Sequence, residues 1–191
     1  MSLLDRNDLL QALRALDEEL GRVGVRGEVF VVGGAAMALA YDARRATVDV
    51  DAVFAPSAEV REAARRVAER LGFEPGWLND AAKAFVPGED PERIGVYEGT
   101  HLSVAAGSPR LLLAMKLLAA RVERDQDDIR TLYGLCGFTT AAEGIELVTE
   151  AYPEARIAPR TRFLLEELFP SHGLDRGDQP ARHRDDRGLG R

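Results

Sequence analysis

The run Val29-Phe30-Val31-Val32, closed abruptly by Gly33-Gly34, constrains this chain more than any other stretch. Four consecutive β-branched or aromatic residues are too few for a helix, so they predict a buried strand that stops at a sharp turn. Upstream, Leu9, Leu10, Leu13, Leu16 and Leu20 recur at helical spacing, which predicts an amphipathic helix over 3–20 that ends at Gly21, Gly24 and Gly27. After the turn, 35–41 reads as a short helix. The segment 47–54 then alternates polar and apolar residues until its last two, the period of a strand.

Further along, Pro56 and Ser57 begin a helix over 57–71 with Ser57 as its cap. A short helix is predicted near 77–83, with strands near 94–97 and 101–105. Ser108-Pro109 opens a strongly apolar helix over 111–120 whose only charge is Lys116. A charged break at 121–125 precedes a helix over 125–135 that shows Ile129, Leu132, Tyr133 and Cys136 on one face. Thr139 and Pro159 introduce two more helical segments ending near Phe169. Mixed α/β structure therefore comes first and helices last: an α/β core over 1–107 and a helical C-terminal lobe over 108–170. The remainder, 171–191, is rich in Gly, Asp and Arg with little apolar content and reads as a disordered tail.

Composition removes several function classes. A chain of 191 residues, 46% apolar and 30% charged, can bury one good core. No apolar run approaches the roughly 18 residues that cross a bilayer, and the N-terminus lacks a signal pattern, so no membrane partner and a cytoplasmic location are expected. A single cysteine, Cys136, forms no internal disulfide. The net charge of -7 argues against a general nucleic-acid binder, because such proteins gain affinity by neutralising phosphates.

On a strand, Thr47, Asp49 and Asp51 share one face while Val48 and Val50 enter the core. The two carboxylates are then about 6.6 Å apart at Cα and repel unless a cation sits between them. Mg²⁺ suits such a pair, since it binds one or two carboxylates together with phosphate oxygens and water. The Gly33-Gly34 turn ends a strand and starts a helix, which aims free amides and the positive helix end at one place, where phosphate is the expected guest. Each feature alone has a plainer explanation, an exposed strand face or a turn that needs glycine. A glycine turn followed after fourteen residues by an aspartate pair is more specific than either half.

Lys116 sits among Leu, Ala and Met, so its ammonium needs a partner, an exit to water or a triphosphate to reach. Asp125 and Asp128 are three residues apart and flank the apolar stripe, placing both inward, whereas Asp127 points away. Helix capping is their plainer role, and Arg124 could pair with either. Trp77, Asn79, Asp80 and Lys83 form one more polar-aromatic cluster, where a base could stack or where Trp77 simply packs.

Together, Val32-Gly33-Gly34, Arg45-x-Thr47-x-Asp49-Val50-Asp51, Lys116 and Arg124-Asp125-x-x-Asp128-Ile129 resemble the motif set of AbiEii/MenT-type nucleotidyltransferases, within the polymerase-β-like superfamily. The motifs cover 29–129, and the trailing helices match that family's C-terminal lobe. The resemblance implies an α+β nucleotidyltransferase fold, a small mixed sheet flanked by helices. It also implies Mg²⁺-dependent movement of a nucleotide from an NTP to RNA, a tRNA 3′ end in characterised members, by the toxin of a toxin-antitoxin pair with a cognate antitoxin protein. Carried onto this chain, Gly33 and Gly34 hold the triphosphate, with Arg45, Thr47, Arg124 and Asp125 as further nucleotide contacts. Asp49 and Asp51 coordinate Mg²⁺, and Lys116 neutralises the polyphosphate. Asp128 fills the family's late acidic position, orienting Lys116 or taking the proton of the attacking hydroxyl.

Three features depart from that pattern. Gly34 stands where Ser is frequent. The strand His101-Leu102-Ser103-Val104-Ala105 lacks the third carboxylate found in many superfamily enzymes. Positive charge is confined to clusters such as Arg44-Arg45, Arg61 with Arg65, Arg66 and Arg70, and Arg156 with Arg160 and Arg162, all of which also read as solvated surface. A nucleotidyltransferase with a small hydroxylated acceptor and a non-catalytic nucleotide- or partner-binding module are the alternatives.

Overall fold

The computed structural model describes residues 3–42, 44–119, 121–153 and 157–170. The tail expected over 171–191, like Arg156 of the last basic cluster, lies outside the described residues. Helix α1 (Arg6–Arg22) opens on Asp5, whose carboxylate accepts from the amides of Asn7 and Asp8 while Asp8 accepts from the Asp5 amide at 3.0 Å. This reciprocal box satisfies amides that a helix start leaves free. The chain continues through β1 (Gly27–Val31), α2 (Gly33–Ala36), a π-helical turn (Met37–Tyr41), β2 (Val50–Ala55) and α3 (Ser57–Leu71). Then come β3 (Leu78–Asn79), a 3-10 helix (Ala81–Phe85), β4 (Ile94–Glu98) and β5 (Leu102–Ala106). Helices α4 (Pro109–Ala119), α5 (Val122–Cys136), α6 (Ala141–Ala151) and α7 (Pro159–Leu168) complete the described chain.

The strands form one mixed sheet in the order β3-β2-β1-β5-β4. Strand β1 runs antiparallel to β2 and parallel to β5; β3 is parallel to β2, and β4 antiparallel to β5. A Cβ at Gly27 would stand 2.9 Å from Leu20 and 3.2 Å from Val60, so α1 and α3 press onto β1 there. By the two-residue period, Val29 and Val31 face the same way and are buried. Helix α4 packs on α5 and α6, and α6 on α7, and their buried Leu113, Leu117, Leu132, Val148 and Leu165 belong to the same hydrophobic core as Val29, Val31 and Val104 of the sheet. The expected α+β architecture, a small mixed sheet flanked by helices, is what the chain adopts. No helix among the described residues is long and apolar enough to cross a membrane.

Four local expectations need correction. The strand expected over 47–54 is Val50–Ala55. Thr47 instead forms an isolated antiparallel bridge with Leu4, its carbonyl accepting the Leu4 amide at 2.7 Å, and its hydroxyl donates to the Asp49 carbonyl at 3.0 Å. That side-chain bond competes with strand pairing and bends the chain, so Val48 is half-buried and is not a core residue. The helix expected near 77–83 is β3 followed by the 3-10 helix, because the Val50 amide captures the Trp77 carbonyl at 2.6 Å and draws the next two residues alongside β2. Ser57 is the first helical residue; Pro56 occupies the cap position and no side chain caps the end. Finally, α5 begins at Val122, so most of the supposed charged break is helical.

Candidate active site

Gly33 has φ +65°, a left-handed conformation that residues with a Cβ rarely adopt. A Cβ built there would lie 3.4 Å from Asp51 Oδ2. The contact follows from the topology. Antiparallel pairing sets the end of β1 beside the start of β2, and the Val32 amide extends it by donating to the Asp51 carbonyl at 2.9 Å. Gly33 and the acid therefore meet although seventeen residues lie between them. Gly34 is tighter still: its Cβ would stand 2.9 Å from Thr47 Oγ1. A serine at this place would collide with Thr47, which accounts for the glycine. Since α2 starts at Gly33, the amides of Gly33 and Gly34 have no partner within the helix.

Asp51 projects from β2 and Asp49 from the bend before it, and both line one cleft. They converge as expected, although the bend rather than strand alternation presents Asp49. Parallel pairing of Asp51 with Asn79 brings the Asn79 amide to 3.4 Å from Asp49 Oδ2. Burial, and then the charge of Asp49, hold the Asp51 carboxyl above the ordinary carboxylate range, against the opposing effects of Asn79, Arg121 and Arg124. Two acids in mutual repulsion form a donor pair that a cation relieves. The residues fit Mg²⁺ in that sense: Asp49 and Asp51 would supply two oxygens. No group of three or more acidic, His or Cys side chains converges among the described residues, so nucleotide oxygens and water would complete the shell.

The opposite charges come from the helices. Lys116 Nζ lies 2.9 Å from Asp125 Oδ1 and 2.7 Å from Asp128 Oδ2, all three side chains close to nine-tenths buried. Asp128 also accepts from Arg45, which reaches over from the α/β region. Lys116 thus does not escape to water, and the two aspartates do more than cap a helix: α4 and α5 pack so that one buried ammonium joins them. Arg124 is exposed, and Asp127 points outward as expected.

These groups line a single cleft of about 690 Å³ that holds Gly33, Gly34, Arg45, Thr47, Asp49, Asp51, Lys116, Arg124, Asp125 and Asp128 together, a size typical of small-ligand sites at roughly 300–1,000 Å³. The structure adds Arg121, Phe85, Leu3 and Tyr152 to the lining. Arg121 could have been suspected from its place beside the motif at Arg124; the others carry no sequence signal. Trp77 is fully buried and donates its indole N-H to the Ala64 carbonyl at 2.9 Å, so it packs the core and offers no stacking face.

Residues 11–138 match the model of a protein family, DUF6036, described as nucleotidyltransferases of unknown function, over a stretch that contains every residue of the cleft named above except Leu3 and Tyr152. No curated protein and no solved structure matches the chain.

Proposed function

Because the chain belongs to the DUF6036 family of nucleotidyltransferases, we propose that its cleft transfers a nucleotidyl group from an NTP to a hydroxyl acceptor with Mg²⁺. The observation that carries this reading is the approach of Asp51 to within 3.4 Å of the Cβ position that Gly33 lacks. It puts a donor for a divalent ion beside amides able to receive phosphate oxygens. Mg²⁺ at Asp49 and Asp51 would neutralise charge on the reacting phosphate and orient it for in-line attack.

The remaining roles belong to the chain's own groups. Gly33 and Gly34 donate amide N-H to phosphate oxygens. Thr47 fixes the bend that presents Asp49 through its bond to the Asp49 carbonyl. Lys116 and Arg45 place positive charge on the polyphosphate, and Asp128, paired with both, is a positioning residue. Its oxygens are already occupied by Lys116 and Arg45, which favours this role over that of a general base. Arg124 lies in the same lining to meet the outer phosphates. In the transfer, the acceptor oxygen bonds to the α-phosphorus, the bond to the β-phosphate oxygen breaks, pyrophosphate leaves and the hydroxyl proton passes to water.

The resemblance to AbiEii/MenT-type proteins supports RNA as the acceptor, a tRNA 3′ end, and a toxin's place beside an antitoxin. One observation favours a small hydroxylated acceptor instead. The arginines of α3 that could have met RNA are held by acids: Arg61 by Asp80, Arg65 by Glu62 and Glu69, Arg66 by Glu62 and Glu19, and Arg70 by Glu18 and Glu19. Incubating the protein with each labelled NTP, Mg²⁺ and either total tRNA or an aminoglycoside separates the two. Label on tRNA, lost in Asp49→Ala, is the expected result; label on the aminoglycoside selects the second reading. NTP binding with no transfer to any acceptor would reduce the protein to a nucleotide-binding module.

A further inference from the structure

The cleft also holds an exposed aromatic ring that the roles above leave unused. Phe85 keeps 59% of its surface exposed, yet it lines the same cavity as Gly33, Asp51 and Lys116. Its location is fixed from two directions. On one side, the 3-10 helix that it ends follows directly from β3, whose Leu78 and Asn79 pair with Val50 and Asp51, and Ala82 in that helix is buried. On the other, Tyr152 at the end of α6 donates its hydroxyl to the Phe85 carbonyl at 2.7 Å. Burial pushes the Tyr152 phenol up to about 12, so it remains a donor at physiological pH. The backbone that carries this ring is therefore held from the sheet side by β3 and from the helical side by Tyr152.

Leu3, Met115 and Leu118 continue the apolar part of the lining. The cavity thus offers the Gly33 amide, Arg45 and Lys116 to phosphate oxygens at one part of its wall and an apolar surface to a flat ring at another. We propose that Phe85 is the stacking platform for the nucleobase of the donor NTP, an inference that rests on the reading of the cleft as a nucleotide site. Every base presents a π face, and the Tyr152 hydroxyl is already committed to Phe85, so stacking tolerates all four bases. Discrimination among ATP, GTP, CTP and UTP is accordingly modest.

The test measures binding of the four NTPs and of inorganic tripolyphosphate, each with Mg²⁺, to the full chain and to Phe85→Ala and Phe85→Trp. Phe85→Ala is expected to bind each NTP about tenfold more weakly, the order of loss seen when a base-stacking ring is truncated. Tripolyphosphate binding should stay as in wild type, and Phe85→Trp should retain NTP affinity. Unchanged NTP affinity in Phe85→Ala overturns the proposal, as does an equal loss for NTP and tripolyphosphate, which would make the ring structural. Unchanged NTP affinity with slower transfer would overturn it in favour of the acceptor. If wild type binds neither NTP nor tripolyphosphate, the nucleotide reading itself fails; if it binds both and only the Phe85 variants misbehave, that reading stands.

Discussion

Gly34 and Thr47 compete for one small volume, and the sequence resolves the contest by leaving out a side chain. Gly34→Ser would bring a Cβ to 2.9 Å from Thr47 Oγ1, and such overpacking costs about 1–3 kcal/mol. A lowered Tm is expected, with recovery on adding Thr47→Ala because the two residues share the space. Asp51 carries the second residue-scale prediction. Its raised carboxyl means that the native state holds this proton more tightly than the unfolded chain does. Below the ordinary carboxylate value both states are protonated and no penalty exists. Stability falls as pH rises from there to the raised value, and above it the full penalty stays. Asp51→Asn removes the penalty, so at neutral pH its Tm equals or exceeds that of wild type, the difference fades in acid, and nucleotidyl transfer is lost. A marked Tm drop at neutral pH would show that the acid pair is structural.

At the scale of elements, α4 and α5 are joined by Lys116 between Asp125 and Asp128. Lys116→Met leaves Asp125 buried without its cation, and breaking a buried pair in this way costs about 3–5 kcal/mol. Urea denaturation should show that loss, and Asp125→Asn in the same chain should restore part of it; additive losses would deny the coupling. How much of this was legible in the sequence depends on whether a signal is local. The extent of α3, and nearly that of β1, could be read because periodicity and a terminal glycine suffice, although Ser57 is the first helical residue and not the cap. Lys116 also announced itself, since an ammonium in an apolar helix demands a partner. The bend at Thr47 did not: it depends on Leu4, which reaches Thr47 through backbone atoms that carry no residue code. Strand β3 is two residues long and exists through the bond from Val50 to the Trp77 carbonyl. Phe85 and Tyr152 join the cleft only through tertiary packing, so no motif could mark them.

For the whole molecule, the question is what an acidic protein can use to hold its acceptor. Glu19 is buried and engages Arg22, Arg66 and Arg70, so part of the basic face of α3 serves to fasten α1 to α3. Arg65, tied only to exposed acids of its own helix, is the clean probe. Arg65→Gln is expected to leave the KM for tRNA unchanged, whereas Arg124→Gln raises the KM for NTP. A large rise for tRNA in Arg65→Gln would make α3 an RNA-binding face.

The cleft sets four basic side chains, Arg45, Lys116, Arg121 and Arg124, against four acids, Asp49, Asp51, Asp125 and Asp128. With opposite charges so matched, the hollow casts little field into the solvent, and an incoming triphosphate feels no pull until it arrives. Capture is then governed by collision and orientation, and stopped-flow association rates should stay nearly flat as ionic strength is raised.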